Sequence, residues 1–296
     1  MALVKHDVQR LWRARMRGVR FDRTLTVGRL NLYLHPAELA ALRAEGLGGQ
    51  SADGLKNYRL GDYADEFLRA CLGATVTVLD ASDFEGADRV HDLNQPLPAD
   101  LHEQFDAVIE AGTLEHVFNF PVAIASLMTA LKIGGTIFLT TPANNLCGHG
   151  FYQFSPEMMY RIFSAENGFA LRHVTFLEAR FPAIESAPIV RVREVADPAA
   201  IGRRVGLRSR RPVMMAVEAT RTDRRQPFER APLQSDYVAR WQSGQSKRRS
   251  ALRSLVDTLP AAVRARLLGY YHLWEYSFLN RKAYKVADSE TVTPVK

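Results

Sequence analysis

From Arg23 onward the chain alternates between short apolar runs and segments whose apolar residues recur every three to four positions. This alternation predicts strands joined by helices, as in a sheet built from βαβ units. The strand candidates are Thr24–Gly28, Thr75–Asp80, Arg89–Asn94, Phe105–Gly112 and Gly135–Pro142. Most are rich in Val, Ile, Leu and Thr with little polar interruption, the pattern of strands covered by helices on both faces. Two later runs, Ala170–Arg180 and Pro212–Thr220, alternate more clearly and are expected to pair antiparallel at the sheet edge. The helix candidates carry matching start and stop signals. His35–Glu45 has Pro36 at its first turn, Tyr63–Leu72 stops at Gly73, Val117–Leu131 stops before Gly134-Gly135, and Pro156–Glu166 follows Ser155 as N-cap.

Residues 46–62 are rich in Gly, Ser and Asp and predict a loop. Residues 181–211 hold Pro182, Pro188 and Pro198 and a basic stretch from Arg203 to Arg211, and read as an insertion before the last strand. Past Thr220 the pattern becomes basic and helical. Three parts are therefore expected: a basic N-terminal helix over 1–23, a main domain over 24–220, and a basic helical extension over 221–296. In the extension, Leu267, Tyr271, Trp274 and Phe278 share one face of a helix. Packing of this stripe on the domain or on a second copy, as a homodimer, is preferred over membrane contact, because the stripe is broad and aromatic.

Composition narrows the classes without changing this picture. The 296 residues are 47% hydrophobic and 24% charged, which suits a globular protein and excludes a disordered or fibrous one. Cys71 and Cys147 are the two cysteines, too few for a disulfide framework, and a reducing cytoplasmic location is expected. No apolar stretch is long enough for a membrane-spanning helix. The net charge of +7 is uneven: residues 1–23 carry +5, residues 221–296 carry +8, and the stretch between is acidic at −6. The basic ends suit an anionic partner such as a membrane surface or nucleic acid, but are read as solvated arms or as contacts to the acidic body. The N-terminal part is Arg-rich and roughly amphipathic through Val8, Leu11 and Trp12. It is read as a basic surface helix, with a mitochondrial presequence as the alternative.

In an open parallel sheet, ligands bind at the carboxyl ends of the strands. The first candidate strand ends at Gly28. The second ends Asp80-Ala81-Ser82, the third Asp92-Leu93-Asn94, and the fourth Glu110-Ala111-Gly112. Three consecutive strands thus close on an acid. A carboxylate after the second strand suits the two ribose hydroxyls of a nucleoside cofactor, and one after the third suits an adenine amine.

The run from Phe105 to Pro142 resembles the central part of class I S-adenosylmethionine-dependent methyltransferases. The resemblance lies in Phe105-Asp106 leading a strand, in Leu114-Glu115-His116-Val117 after it, and in the turn Leu131-Lys132-Ile133-Gly134-Gly135. Phe154-Ser155-Pro156 and Gly168-Phe169 extend it. The resemblance implies an α/β, Rossmann-like fold with a mostly parallel central sheet, an antiparallel edge strand and helices on both faces, followed by the helical C-terminal extension. It implies S-adenosylmethionine as cofactor, with Asp80 on the ribose, Asp92 and Leu93 at the adenine, and Glu110, Ala111 and Gly112 along the methionine end. The first strand departs from the family. Thr26-Val27-Gly28-Arg29-Leu30 holds one glycine, no acid and an arginine where a glycine-rich turn belongs.

The expected activity is methyl transfer to a small-molecule or sugar hydroxyl. The alternative is a catalytically silent relative acting as an assembly or binding partner, which suits the altered first turn. A nicotinamide oxidoreductase would need the glycine fingerprint that is missing. A base-amino methyltransferase would need an Asn/Asp-Pro-Pro-aromatic motif where Thr141-Pro142-Ala143-Asn144 stands. His149, between Gly148 and Gly150 and followed by Phe151 and Tyr152 as acceptor walls, is the leading general base. His116 and Glu115 are second candidates, each also explained by a structural role, Glu115 through the helix dipole. The spacing of His, Cys and acidic residues shows no metal motif.

Overall fold

The computed structural model describes residues 2–47, 55, 58–180, 189–243 and 258–287. Most of the expected 46–62 loop, the first part of the 181–211 insertion with Pro182 and Pro188, and Lys247-Arg248-Arg249 lie outside the described residues. In chain order the elements are β1 (Ala2–Val4), α1 (Lys5–Met16), β2 (Arg23–Val27), β3 (Asn31–Tyr33), α2 (Pro36–Ala44), α3 (Asp65–Leu72), β4 (Thr75–Asp80), β5 (Arg89–Val90), β6 (Phe105–Ala111), α4 (Phe120–Ala130), β7 (Leu131–Asn144), α5 (Pro156–Ile162), β8 (Phe169–Ala179), β9 (Ile189–Val195), β10 (Val213–Arg221), α6 (Ser235–Ser243), α7 (Ala261–Glu275) and β11 (Tyr284–Val286).

Nine strands form one sheet in the order β11-β9-β8-β10-β7-β6-β2-β4-β5. The stretch β5-β4-β2-β6-β7 is parallel, and β10, β8, β9 and β11 continue it antiparallel. The sheet is thus mixed, not mostly parallel with one antiparallel edge. The two alternating runs do pair antiparallel, as β8 with β10. They sit inside the sheet, because β9 from the insertion and β11 from the extension add further strands beyond them. β1 pairs with β3 in a separate two-stranded sheet.

The parallel strands are apolar on both faces because helices cover both. Every residue of β6 is buried. Val108, Leu25, Val27, Ile137 and Leu139 pack with Leu114, Ile124, Leu127, Met159 and Phe169 on one side. Ala107, Ile109, Ala111 and Phe138 pack with Leu11, Leu39, Phe67 and Leu68 from α1, α2 and α3 on the other. The period-2 alternation therefore separates two cores rather than a core from solvent. Helix ends follow local chemistry. Gly73 closes α3 at φ 71°, and the Ser155 hydroxyl accepts the Met158 N–H at the start of α5.

The N-terminal helix is not a solvated basic arm. On α1, Val8, Leu11 and Ala14 are buried in the second core, and Asp7 is buried with them. The arginines that give this segment its charge tie it to the sheet. Arg10 donates to the Val217 carbonyl (2.9 Å) and to Thr140 Oγ1 (2.7 Å), and Arg17 donates to both Glu218 oxygens (2.7 and 2.9 Å). The helix thus forms a layer over β7 and β10, with charge matched by acids of the body.

The extension is only partly helical. It contains α6 and α7, then returns through β11 to the sheet edge. Phe278 packs against Tyr284 (ring centroids 5.1 Å), and Tyr284 is buried in the first core. Leu267, Tyr271 and Trp274 of the expected stripe remain largely exposed on α7, where the Tyr271 hydroxyl meets Arg203, and Phe278 packs against the core of the domain. Among the described residues, no helix is long and apolar enough to cross a membrane.

Candidate functional site

β4 and β5 lie to one side of β2, and β6 and β7 to the other, so the strand order reverses between β2 and β6. This puts the switch point of the sheet at the carboxyl ends of β2 and β6, where sheets of this topology form the crevice that holds a ligand. Two glycines flank it: Gly28 after β2 at φ 72° and Gly112 after β6 at φ 96°. Both lie in the left-handed region that a side chain strongly disfavours. The Gly28 N–H donates to the Leu79 carbonyl (2.7 Å), which holds the loop against β4.

Asp80 ends β4 beside this crevice. Its Oδ1 accepts the Ser82 N–H at 3.3 Å, an Asx turn through Ala81, and its carboxylate accepts no other hydrogen bond among the described residues. β5 is shorter than the expected Arg89–Asn94 strand and stops at Val90. Asp92 consequently stands in a turn, where it accepts the backbone N–H (2.9 Å) and side-chain amide (2.8 Å) of Asn94. Those bonds hold its carboxyl below the usual range. Asn94 in turn accepts the Asn119 N–H (2.8 Å), fixing this turn to the start of α4, while Leu93 is buried in the first core.

Glu110 does not present a carboxylate to the crevice. It is fully buried, and one oxygen accepts the N–H groups of Thr113 and Leu114, capping a short 3₁₀ turn over Leu114–His116. Burial pushes its carboxyl up to about 7 against those bonds. Ala111 is buried as well, and the Thr113 hydroxyl donates to the Val27 carbonyl (3.1 Å), linking the ends of β6 and β2.

The three catalytic candidates, scattered over 35 positions of sequence, meet in one place. Glu115 sits in the 3₁₀ turn before α4, not in the first turn of that helix, so the helix-dipole role does not apply. It is completely buried, no other described residue hydrogen-bonds its oxygens, and burial followed by the neighbouring Glu110 pushes its carboxyl well up. His149 Nε2 lies 3.4 Å from Glu115 Oε1, and the His116 and His149 rings are 5.1 Å apart. The ligating atoms of all three lie within 4.8 Å of one another. Burial and His149 depress the His116 imidazole.

Backbone contacts hold this cluster. The Phe151 N–H donates to the Glu115 carbonyl (2.7 Å), and a Cβ at Gly150, itself at φ 74°, would stand 2.7 Å from that oxygen. Only glycine lets the His149 loop lie so close to the 3₁₀ turn. The two expected aromatic walls separate. Phe151 is exposed and meets Phe118 edge-on at 5.9 Å, whereas Tyr152 packs with Phe120 and Phe154 and donates to the Phe118 carbonyl (2.6 Å). Phe118 is thus an exposed aromatic beside the cluster that the strand pattern did not reveal.

Arg29, the arginine that departs from the expected glycine-rich turn, is tied to the neighbouring loops. It stacks over the Tyr63 ring (4.2 Å), pairs with Asp65 (3.5 Å) and donates to the Glu85 carbonyl (3.0 Å). It spans the loops after β2 and β4 where a glycine-rich turn is expected.

No family model and no curated protein matches this chain. Among solved structures it is similar to a protein described for the conversion of a disulfide bond into a thioacetal group during echinomycin biosynthesis, at 13% identity and TM-score 0.36 over 80% of this chain and 88% of that one. It is similar to the trans-methyltransferase CalH, in complex with SAH, at 14% identity and TM-score 0.37 over 71% of this chain and 54% of CalH, about half that protein's length. It is also similar to a SAM-dependent methyltransferase from Thermotoga maritima, at 14% identity and TM-score 0.32 over 72% of this chain and 91% of that one. These likenesses are distant.

Proposed function

We propose that this chain binds S-adenosylmethionine across the carboxyl ends of β2, β4 and β6 and directs its methyl group to a small-molecule acceptor, a sugar or other hydroxyl compound. The observation that carries this reading is the strand-order reversal between β2 and β6. It is flanked by left-handed Gly28 and Gly112 and stands beside an Asp80 carboxylate with acceptor capacity to spare. In it, Asp80 would accept the two ribose hydroxyls, with Ala81 and Ser82 shaping the turn beside it. Leu93, Asp92 and Asn94 would border the adenine, and Gly28 and Gly112 would let the backbone approach the ligand. Glu110 supports the methionine end indirectly, by fixing the backbone of Gly112 to Leu114.

The cofactor supplies an electrophilic methyl group, so the protein's tasks are to orient the acceptor and take its proton. His149 borders this end of the sheet on a half-exposed loop, beside exposed Phe118 and Phe151. An imidazole there can remove a hydroxyl proton as the methyl group transfers. Orientation of the acceptor at short range supplies much of the remaining acceleration.

The test is calorimetric titration with S-adenosylmethionine and S-adenosylhomocysteine. Binding is expected, with Asp80→Ala weaker by about tenfold or more, since charge-assisted hydrogen bonds are worth about 1.5–3 kcal/mol. Absence of binding to both ligands overturns the reading. Arg29 favours a second one, because its side chain bridges the loops of the crevice. In that reading the chain is a silent relative, and neither ligand binds.

A further inference from the structure

A buried carboxylate normally has hydrogen-bond donors or a cation beside it, because removing its charge from water is costly. No other described residue hydrogen-bonds the Glu115 carboxylate. The residue is 0% exposed. Besides the Glu110 carboxyl, it faces the imidazoles of His149 and His116, carried on a different loop and on the same 3₁₀ turn. Two imidazoles and one carboxylate, converging from segments held by backbone contact, form a donor set rather than a packing contact.

We propose that Glu115, His116 and His149 bind a divalent transition-metal cation of the Zn²⁺ class, with the remaining coordination positions open toward solvent and substrate. Nitrogen donors with one carboxylate suit Zn²⁺, Co²⁺, Mn²⁺ or Fe²⁺, whereas Mg²⁺ and Ca²⁺ prefer all-oxygen sets. Three protein ligands with an open position are the arrangement of reactive rather than purely structural zinc sites. Tetrahedral binding at bond lengths near 2.1 Å requires donor separations of about 3.4 Å. Glu115 Oε1 and His149 Nε2 already stand at 3.4 Å, and no pair in the cluster exceeds 4.8 Å. Closing the rest needs rotation of His116 and His149, whose side chains are on the surface. The Gly150 and Phe151 contacts to the Glu115 backbone keep the two segments in register while those side chains turn. An imidazole nitrogen engaged by a cation cannot take a proton, so in the loaded protein His149 holds the ion in place of acting as a base.

The inference does not depend on methyl transfer, and its test reads the ion directly. Full-length protein stripped with a chelator is titrated with Co²⁺, followed by visible absorption, and with Zn²⁺, followed by calorimetry. One equivalent is expected, with the d–d bands of four- or five-coordinate Co²⁺. Loss of outer-sphere partners already weakens metal sites by about 10–100-fold, so removing a ligand is expected to weaken Zn²⁺ by about 100-fold or more. His149→Ala, at a surface position that the fold does not need, and Glu115→Gln should both show this loss with unchanged circular dichroism. His272→Ala should not, although His272 forms another imidazole–carboxylate pair, with Glu275 at 3.2 Å. The proposal is overturned by the absence of a saturable Co²⁺ spectrum, by Zn²⁺ binding that survives His149→Ala, or by displacement with equimolar Mg²⁺.

Discussion

The Arg29 guanidinium donates to the Glu85 carbonyl across 3.0 Å and so joins the loop after β2 to the loop after β4. With Tyr63 stacked beneath it and Asp65 at 3.5 Å, this arginine replaces the flexibility of a glycine-rich turn with a strap. Its stacking and ion pair are each worth about 1 kcal/mol or less at such partly exposed positions. Arg29→Ala is therefore expected to lower the melting temperature by a few degrees and to leave S-adenosylhomocysteine affinity unchanged or higher. A loss of affinity in calorimetry would show that Arg29 serves the ligand and not the loops.

Asp7 and Arg10 form the buried joint between α1 and the sheet, with Thr140 donating to Asp7 at 2.6 Å. Asp7→Ala leaves the Arg10 guanidinium buried without its carboxylate. Breaking one side of such a pair costs about 3–5 kcal/mol. Denaturant unfolding should show a loss near that size, and Asp7→Asn, which keeps an acceptor for Thr140, should lose less.

Glu110 links stability to pH. Its carboxyl is pushed up to about 7 in the fold, from an ordinary value of 4.5, by burial, with the backbone N–H groups and Arg10 opposing that shift. Between those values the folded chain holds a proton that the unfolded chain releases. Its contribution is fully present below about pH 4.5 and is lost as pH rises to about 7, after which it is flat. Glu115 is shifted in the same direction, so it adds to the same slope. Glu110→Gln keeps an acceptor for the Thr113 and Leu114 N–H groups and should flatten part of the decline in urea midpoints between pH 5 and 7. An unchanged slope in that variant would exclude Glu110 as its source.

Tyr284 closes the sheet edge. It is buried, packs with Phe176 at 5.9 Å and Phe278 at 5.1 Å, and its hydroxyl donates to the Gly206 carbonyl (3.0 Å). Tyr284→Ala should cost about 3–5 kcal/mol, as for other large aromatic truncations, and Tyr284→Phe about 1 kcal/mol. A chain ending at Thr220 should be unstable for the same reason, since β9 loses β11 and the core loses Tyr284. Equal melting temperatures for full-length and shortened chains would contradict this.

The parallel half of the sheet, most helices and the end of the sheet at which to look for a ligand are legible in local sequence. Those features are local: apolar runs set β2, β4, β6 and β7, and Gly73, Pro36 and Ser155 set helix ends close to where the pattern put them. Asp80 at a strand end followed from the same reading. Tertiary structure alone decided three further matters. The choice between a solvated arm and a contact to the acidic body stayed open for α1 because its partners, Val217, Thr140 and Glu218, lie more than 100 residues away. The sheet became mixed because β9 and β11 come from segments that carry prolines or follow a helix, where no local pattern announces pairing with β8. Glu115, His116 and His149 match no spacing motif, and only the crossing of the β7 loop over the 3₁₀ turn brings them together. Hydrophobic periodicity reports which face of an element is buried, but long-range partners are fixed by packing, which no short window of sequence contains.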